Sequence, residues 1–175
     1  MRPGYRWYPG PYLLSQSILK MDSIFLETKV LWAQIDANMH LRHSAYADFA
    51  AQARLEMLER LGMAADVMQV EKMGPILFRE ETIYLKEIRL GDSVKVSCLL
   101  SKCREDGSRW SFVQEVFRQD GVMAAKITVD GAWIDMVKRK LTAPPEIFRQ
   151  KFLNELPRTE NFVLEPVPDK SETAR

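Results

Sequence analysis

The sequence predicts an α+β domain in which a first strand leads to one long helix and then to four or more antiparallel strands. Three observations carry this. Apolar residues recur at three- and four-residue steps across residues 44–62. Strand-like alternation fills most of residues 76–137. Two Asp-Gly pairs, at 106–107 and 120–121, punctuate the alternating part as hairpin turns do.

The first twenty residues, MRPGYRWYPGPYLLSQSILK, are rich in Pro, Gly and aromatics and lack the long apolar run of a secretory signal. The domain is expected to begin near Met21 and to run to 153, with residues 1–20 a poorly ordered leader. An arm packed through Trp7 and Tyr8 is the rival reading. Residues 25–34, FLETKVLWAQ, mix aromatic and β-branched residues in rough alternation and read as a strand. The stretch IDANMHLRHSAY, 35–46, then gathers both histidines of the chain. It enters a helix of about five turns whose stripe is Tyr46, Phe49, Ala50, Ala53, Met57, Leu58 and Leu61. Ser44 suits the N-cap, Asp48 the positive end of the dipole and Gly62 the C′ stop, and the small alanines allow close approach to a sheet.

ILFREETIYLKEIRL reads as one long strand or two joined by a bulge, followed by GDSVKVSCLLSKCR, WSFVQEVFR and VMAAKITVDGAWIDMV as strands. TAPPEIFRQKFLNEL reads as a short helix started by Pro144 and Pro145. Residues 154–175 read as a polar C-terminal tail, loose from about Pro157. One helix cannot cover both faces of such a sheet. The other face is left to a partner, to the termini or to water.

Composition narrows the function classes. With 25 Lys and Arg against 24 Asp and Glu the net charge is +1, which argues against a nucleic-acid or membrane surface. No stretch reaches the roughly 18–20 apolar residues that cross a bilayer. Cys98 and Cys103 lie an odd number of residues apart, so alternation points them to opposite faces, and they read as reduced structural thiols of a cytoplasmic protein.

The stretch from Trp32 to Tyr46 resembles the motif W-x-D-x-D-A-x-G-H-V-N-N-x-x-Y of hot-dog fold acyl-CoA thioesterases of the 4-hydroxybenzoyl-CoA thioesterase type. Trp32, Asp36, Ala37, His40 and Tyr46 match it, Arg54 stands in the following helix, and the likeness extends over roughly residues 25–150. Gln34, Met39, Arg42 and His43 depart from it. Met39 replaces a glycine that would let backbone come close to a thioester, and adds bulk that would narrow an acyl pocket. The resemblance implies a long central helix wrapped by an antiparallel sheet of about five strands, a homodimer or homotetramer, and chemistry at Asp36. No cofactor is expected beyond coenzyme A as part of the substrate.

The residues themselves support the same site. A thioester carbonyl at a helix start meets free N–H groups and the positive end of the dipole, while a carboxylate beside it activates water or attacks directly. Asp36 is therefore the candidate general base or nucleophile. Asn38, His40, His43 and Tyr46 are candidate substrate contacts. Each also has a plain structural reading: a turn for Asp36 and Asn38, packing or capping for the histidines. Lys86, Arg89, Lys102 and Arg104 are surface candidates for the phosphates of CoA. The rivals are a non-catalytic acyl-CoA or acyl-group binding protein, favoured by Met39, a hydratase on the same fold, and a metal enzyme using Asp36, His40 and His43.

Overall fold

A computed structural model describes residues 23–168. The expected leader, 1–20, lies outside the described residues. In chain order the elements are β1 (Ile24–Lys29), a 3-10 turn (Trp32–Gln34), α1 (His43–Arg60), α2 (Ala65–Val70), β2 (Met73–Tyr84), β3 (Ser93–Ser97), β4 (Leu99–Arg104), β5 (Arg109–Arg118), β6 (Met123–Asp135), β7 (Lys140–Thr142), α3 (Glu146–Asn154) and β8 (Arg158–Glu165).

All seven predicted stripe residues of α1 are buried, and so is Ala45. Ala45, Ala50 and Ala53 have no exposed surface, so the helix axis lies close against the sheet. The helix ends as expected. Gly62 adopts φ 74, its N–H donates to Glu59 O at 2.9 Å, and Met63 N–H donates to Leu58 O at 2.8 Å. That pair of bonds is the Schellman motif, which needs a residue free to take positive φ. Lys151 Nζ of α3 adds a bond to Leu61 O at 3.1 Å.

The sheet has eight strands where the sequence suggests about five, because one expected strand divides in two, the short β7 forms after β6 and the tail adds a strand. The segment 93–104 bends at Cys98 into two strands. β3 pairs antiparallel with residues 116–118 of β5, and β4 with residues 110–113. β1 extends the β3 side. The residues read as a loose tail also form a strand from Arg158 to Glu165, parallel to β4. On the other side of β5 come β6 and then β2 at the outer edge, with β7 continuing along the end of β6. The alternation argument for the cysteines fails at the bend. Cys98 and Cys103 are both free and fully buried, because the break at 98 and the irregularity between Leu100 and Lys102 reset which side faces inward.

α3 begins at Pro145 and turns Phe148 and Phe152 inward. The Phe152 ring meets Phe112 and Trp133 edge-on, both at 5.7 Å between centroids. The tightest contact of the sheet is at Gly131 of β6. A Cβ added there would collide with the Trp110 ring and stand 2.6 Å from Ile76 O. Trp110 is the cross-strand partner of Gly131 and lies over it. Gly131→Ala is therefore expected to destabilise the fold by about 2–3 kcal/mol, because neither a buried indole nor a strand carbonyl can move aside cheaply. A urea midpoint within error of wild type would show the contact to be soft.

Candidate active site

Residues 34–42 form a hairpin that passes the chain from β1 into α1. Arg42 N–H donates to Gln34 O at 2.8 Å, Ile35 and Leu41 form an antiparallel bridge, and Asp36 N–H donates to His40 O at 2.8 Å. At the tip, Met39 N–H donates to Asp36 O at 3.1 Å, and Met39 has φ 65. A turn followed by one left-handed residue is a common three-residue hairpin, and the left-handed place favours glycine. The glycine of the motif thus has a conformational reason at this position. Met39 takes the same conformation at a cost of about 1–2 kcal/mol. Its side chain is 51% exposed, so the bulk stands largely in solvent.

Asp36 plays the turn role that an aspartate plays by itself. Its Oδ1 accepts the backbone N–H of Asn38 at 2.8 Å and that of His40 at 3.1 Å. Oδ2 makes no hydrogen bond among the described residues. One oxygen therefore holds the loop, and the other is available to a water or a carbonyl carbon.

The helix start differs from expectation. Arg42, extended at φ −61 and ψ 144, is the N-cap, and Ser44 is the second helical residue. Bonding of Arg42 N–H to Gln34 O fixes the helix entry there, one residue before His43. The Ser44 hydroxyl accepts from the Arg42 guanidinium, and Asp48 pairs with the same guanidinium at 3.4 Å instead of lying in the first turn. No side chain caps α1 and no acid occupies its first turn. The first N–H groups of the helix, at His43 and Ser44, are left without intrahelical partners at the positive end of an 18-residue dipole.

His43 is exposed, and its carbonyl accepts from the Tyr84 hydroxyl at 3.3 Å. Tyr46 is buried, with its ring edge-on to Tyr84 at 5.2 Å. Burial foremost, then Tyr84 and the charge of Asp36, push the Tyr46 phenol up to about 12, so it remains a protonated donor at neutral pH. Asp36, His43, Tyr46 and Tyr84 thus share one neighbourhood. Tyr84 was missed from sequence, where it is only one aromatic at the end of a strand.

His40 serves the loop. Its Nε2 lies 3.1 Å from Glu87 Oε2, its backbone bridges to Arg89, and Leu41 N–H donates to Ile88 O at 2.8 Å. Glu87 also holds the Arg89 guanidinium, and that neighbour more than His40 keeps the Glu87 carboxyl below the usual range. Asn38 is exposed at the turn and bonds through its backbone. His40 faces Glu87, and among the described residues Asp36, His40 and His43 form no metal-ligand set. Arg54 lies elsewhere on α1, bonded to Gln114 Oε1 at 2.5 Å and reaching Glu80 at 3.4 Å. Of the candidate phosphate contacts, Lys86 and Arg89 flank Glu87, whereas Lys102 is paired with Glu165 at 3.1 Å.

The left-handed place of Met39 yields a direct expectation. Met39→Gly removes the strain and raises stability by about 1 kcal/mol, or roughly 2–4 °C in melting temperature for a chain of this length. A lower melting temperature in the variant would show that the Met39 side chain contributes contacts that outweigh its backbone cost.

Known proteins of this architecture include thioesterases. A Staphylococcus aureus protein solved in complex with CoA superposes with a TM-score of 0.71 over 80% of this chain and 89% of its own, at 20% identity. A DHNA-CoA thioesterase from Staphylococcus aureus gives 0.63 over 69% of this chain and 79% of its own, at 23% identity. A 1,4-dihydroxy-2-naphthoyl-CoA thioesterase from Synechocystis gives 0.66 over 74% and 94%, at 14% identity. These likenesses establish the hot-dog fold. A curated relative, an aspartyl/glutamyl-tRNA(Asn/Gln) amidotransferase component of Paraburkholderia phytofirmans, is 26% identical over 121 residues, 69% of this chain, and the chain spans 23% of that protein's length. The family model of the thioesterase-like superfamily matches residues 30–152, from the end of β1 into α3, and the chain belongs to that superfamily.

Proposed function

We propose that the protein hydrolyses an acyl-CoA thioester, with Asp36 as general base or nucleophile and the first N–H groups of α1 as oxyanion donors. The observation that carries this reading is the divided carboxylate of Asp36. Two backbone N–H groups hold Oδ1, while Oδ2 is unengaged among the described residues, on the hairpin that leads into an uncapped helix start. A positioned general base contributes roughly 100- to 10,000-fold and one oxyanion donor about 100- to 1,000-fold, enough together for an activated thioester. Tyr46 and Tyr84 supply hydroxyls near the same place, and His40 holds the loop against residues 87–89. Family membership and the CoA named for one structural neighbour support the substrate class. Two buried free thiols suit a reducing compartment such as the cytoplasm.

Asp36→Asn separates the two roles of the residue, because an amide oxygen can still accept both turn bonds while the amide cannot act as a base. Across acyl-CoAs from acetyl to palmitoyl and benzoyl, thiol release by the variant should fall at least about a hundredfold with its melting temperature unchanged. Equal turnover by the two proteins would remove Asp36 from the chemistry. A wild type that is inert on the whole panel, yet is stabilised thermally by an acyl-CoA, would establish the binding-only alternative.

The same reading includes a homodimer. β2 is a 12-residue strand paired on one side only among the described residues, and it exposes Leu77, Phe78, Ile83 and Tyr84. An edge of this length is a template for another strand, and a second copy pairing there gives a twofold assembly with two sites. Light scattering should return twice the 20.3 kDa chain mass, and Phe78→Lys with Ile83→Lys should halve it. A wild type that stays monomeric at micromolar concentration would dismiss the paired edge.

A further inference from the structure

Between the middle of α1, β2 and the sheet lies a cleft of about 210 Å³, separate from the Asp36 neighbourhood. Arg54 is the one charged residue on its walls, which otherwise include Leu77, Met68, Trp110, Trp133 and Phe152. Arg54 stands eleven residues beyond the helix start at His43, about 16 Å along the axis.

The guanidinium is poorly matched where it sits. Its side chain is only 13% exposed. It gives one short bond to a neutral acceptor, Gln114 Oε1 at 2.5 Å, and reaches the Glu80 carboxylate only at 3.4 Å. Two of its five N–H donors are thereby used. Burial lowers the Arg54 pKa more than Glu80 and its other neighbours raise it. The remaining walls are apolar side chains, so the complementary ligand is apolar in body and carries its acceptors at the Arg54 end.

We propose that this cleft binds a small apolar carboxylic acid, with its carboxylate on the Arg54 guanidinium and its body against Trp110, Trp133 and Phe152. Size supports the class. A dry cavity of roughly 150 Å³ accommodates benzene, so this cleft suits one substituted ring or a chain of about eight carbons. A planar guanidinium fork suits a carboxylate bidentately, which a lysine at this place would not. Binding of a free acid here does not rest on the hydrolytic reading and requires no CoA.

Calorimetry with octanoate and with octanamide, its neutral isostere, tests the proposal on the full chain with no thioester present. Wild type should bind octanoate at least about tenfold more tightly than octanamide, the margin of a charge-assisted hydrogen bond. Arg54→Met should abolish that preference. Leu77→Trp, which fills the cleft from partly exposed β2 and leaves Arg54 in place, should weaken both ligands. Thermal melts establish that each variant folds, and if Arg54→Met does not, the isostere comparison and Leu77→Trp decide the matter alone. Equal affinity for acid and amide in wild type overturns the proposal, as does no binding of either. Unaltered octanoate binding by Leu77→Trp, or loss of self-association in that variant with neither ligand bound by wild type, also overturns it.

Discussion

The contact of α1 with the sheet is closed by one buried glutamine, and the rest of the molecule depends on it. Gln114 of β5 has no exposed surface. Its Nε2 donates to the Ala50 carbonyl at 2.9 Å and lies 3.0 Å from Cys98 Sγ, while its Oε1 accepts from Arg54. A sheet side chain can reach a helix carbonyl only because Ala50 and Ala53 keep the backbones close. An unpaired amide at this depth would cost about 1–3 kcal/mol, so the glutamine fixes how the helix sits as well as how tightly. Sliding the helix by one residue would strand Gln114, Arg54 and the alanine contacts together.

From that fixed helix the site follows outward. Arg42 begins the helix because its N–H is bound to Gln34, and the same pairing folds the hairpin that carries Asp36. The charge of the aspartate stands near the buried end of Tyr46, while His40 ties the hairpin to the segment after β2. Oδ1 of Asp36 holds the turn while Oδ2 makes no hydrogen bond among the described residues, and the backbone of His40 belongs to the hairpin while its ring faces Glu87. The sheet contributes Tyr84 from the end of the same long strand that pairs with β6.

What could be read from the sequence was whatever local periodicity or turn chemistry determines. The α1 stripe followed a 3.6-residue period because burial on a helix obeys it, and Gly62 was recognisable because a Schellman stop needs positive φ. Asp36 stood out by its motif and by its position between strand and helix, and its carboxylate makes the turn bonds that such a position favours. Errors arose where a distant bond decided the outcome. Ser44 had the better capping side chain, yet the Gln34 pairing placed the cap at Arg42. The ring of His40 found its partner 47 residues away at Glu87, which no spacing rule announces. β8 was missed because an edge strand with one partner buries few side chains and carries little apolar alternation. Met39 stood out only as added bulk, and the left-handed turn that explains the motif's glycine there became visible only in the backbone.

The parallel pairing of β8 with β4 has a consequence for synthesis of the chain. β4 is made long before β8, and everything between them, including the α3 turn, must emerge before the edge at Leu99–Arg104 receives its outer neighbour. Domains built from the N-terminus on the ribosome hold such an edge open throughout that interval, and unpaired edges recruit strands from other chains. The nascent protein therefore passes through a stage in which its sheet is incomplete on the side that the finished molecule covers. Lys102 and Arg104, at that edge, supply the charge that discourages premature pairing until Glu165 arrives opposite.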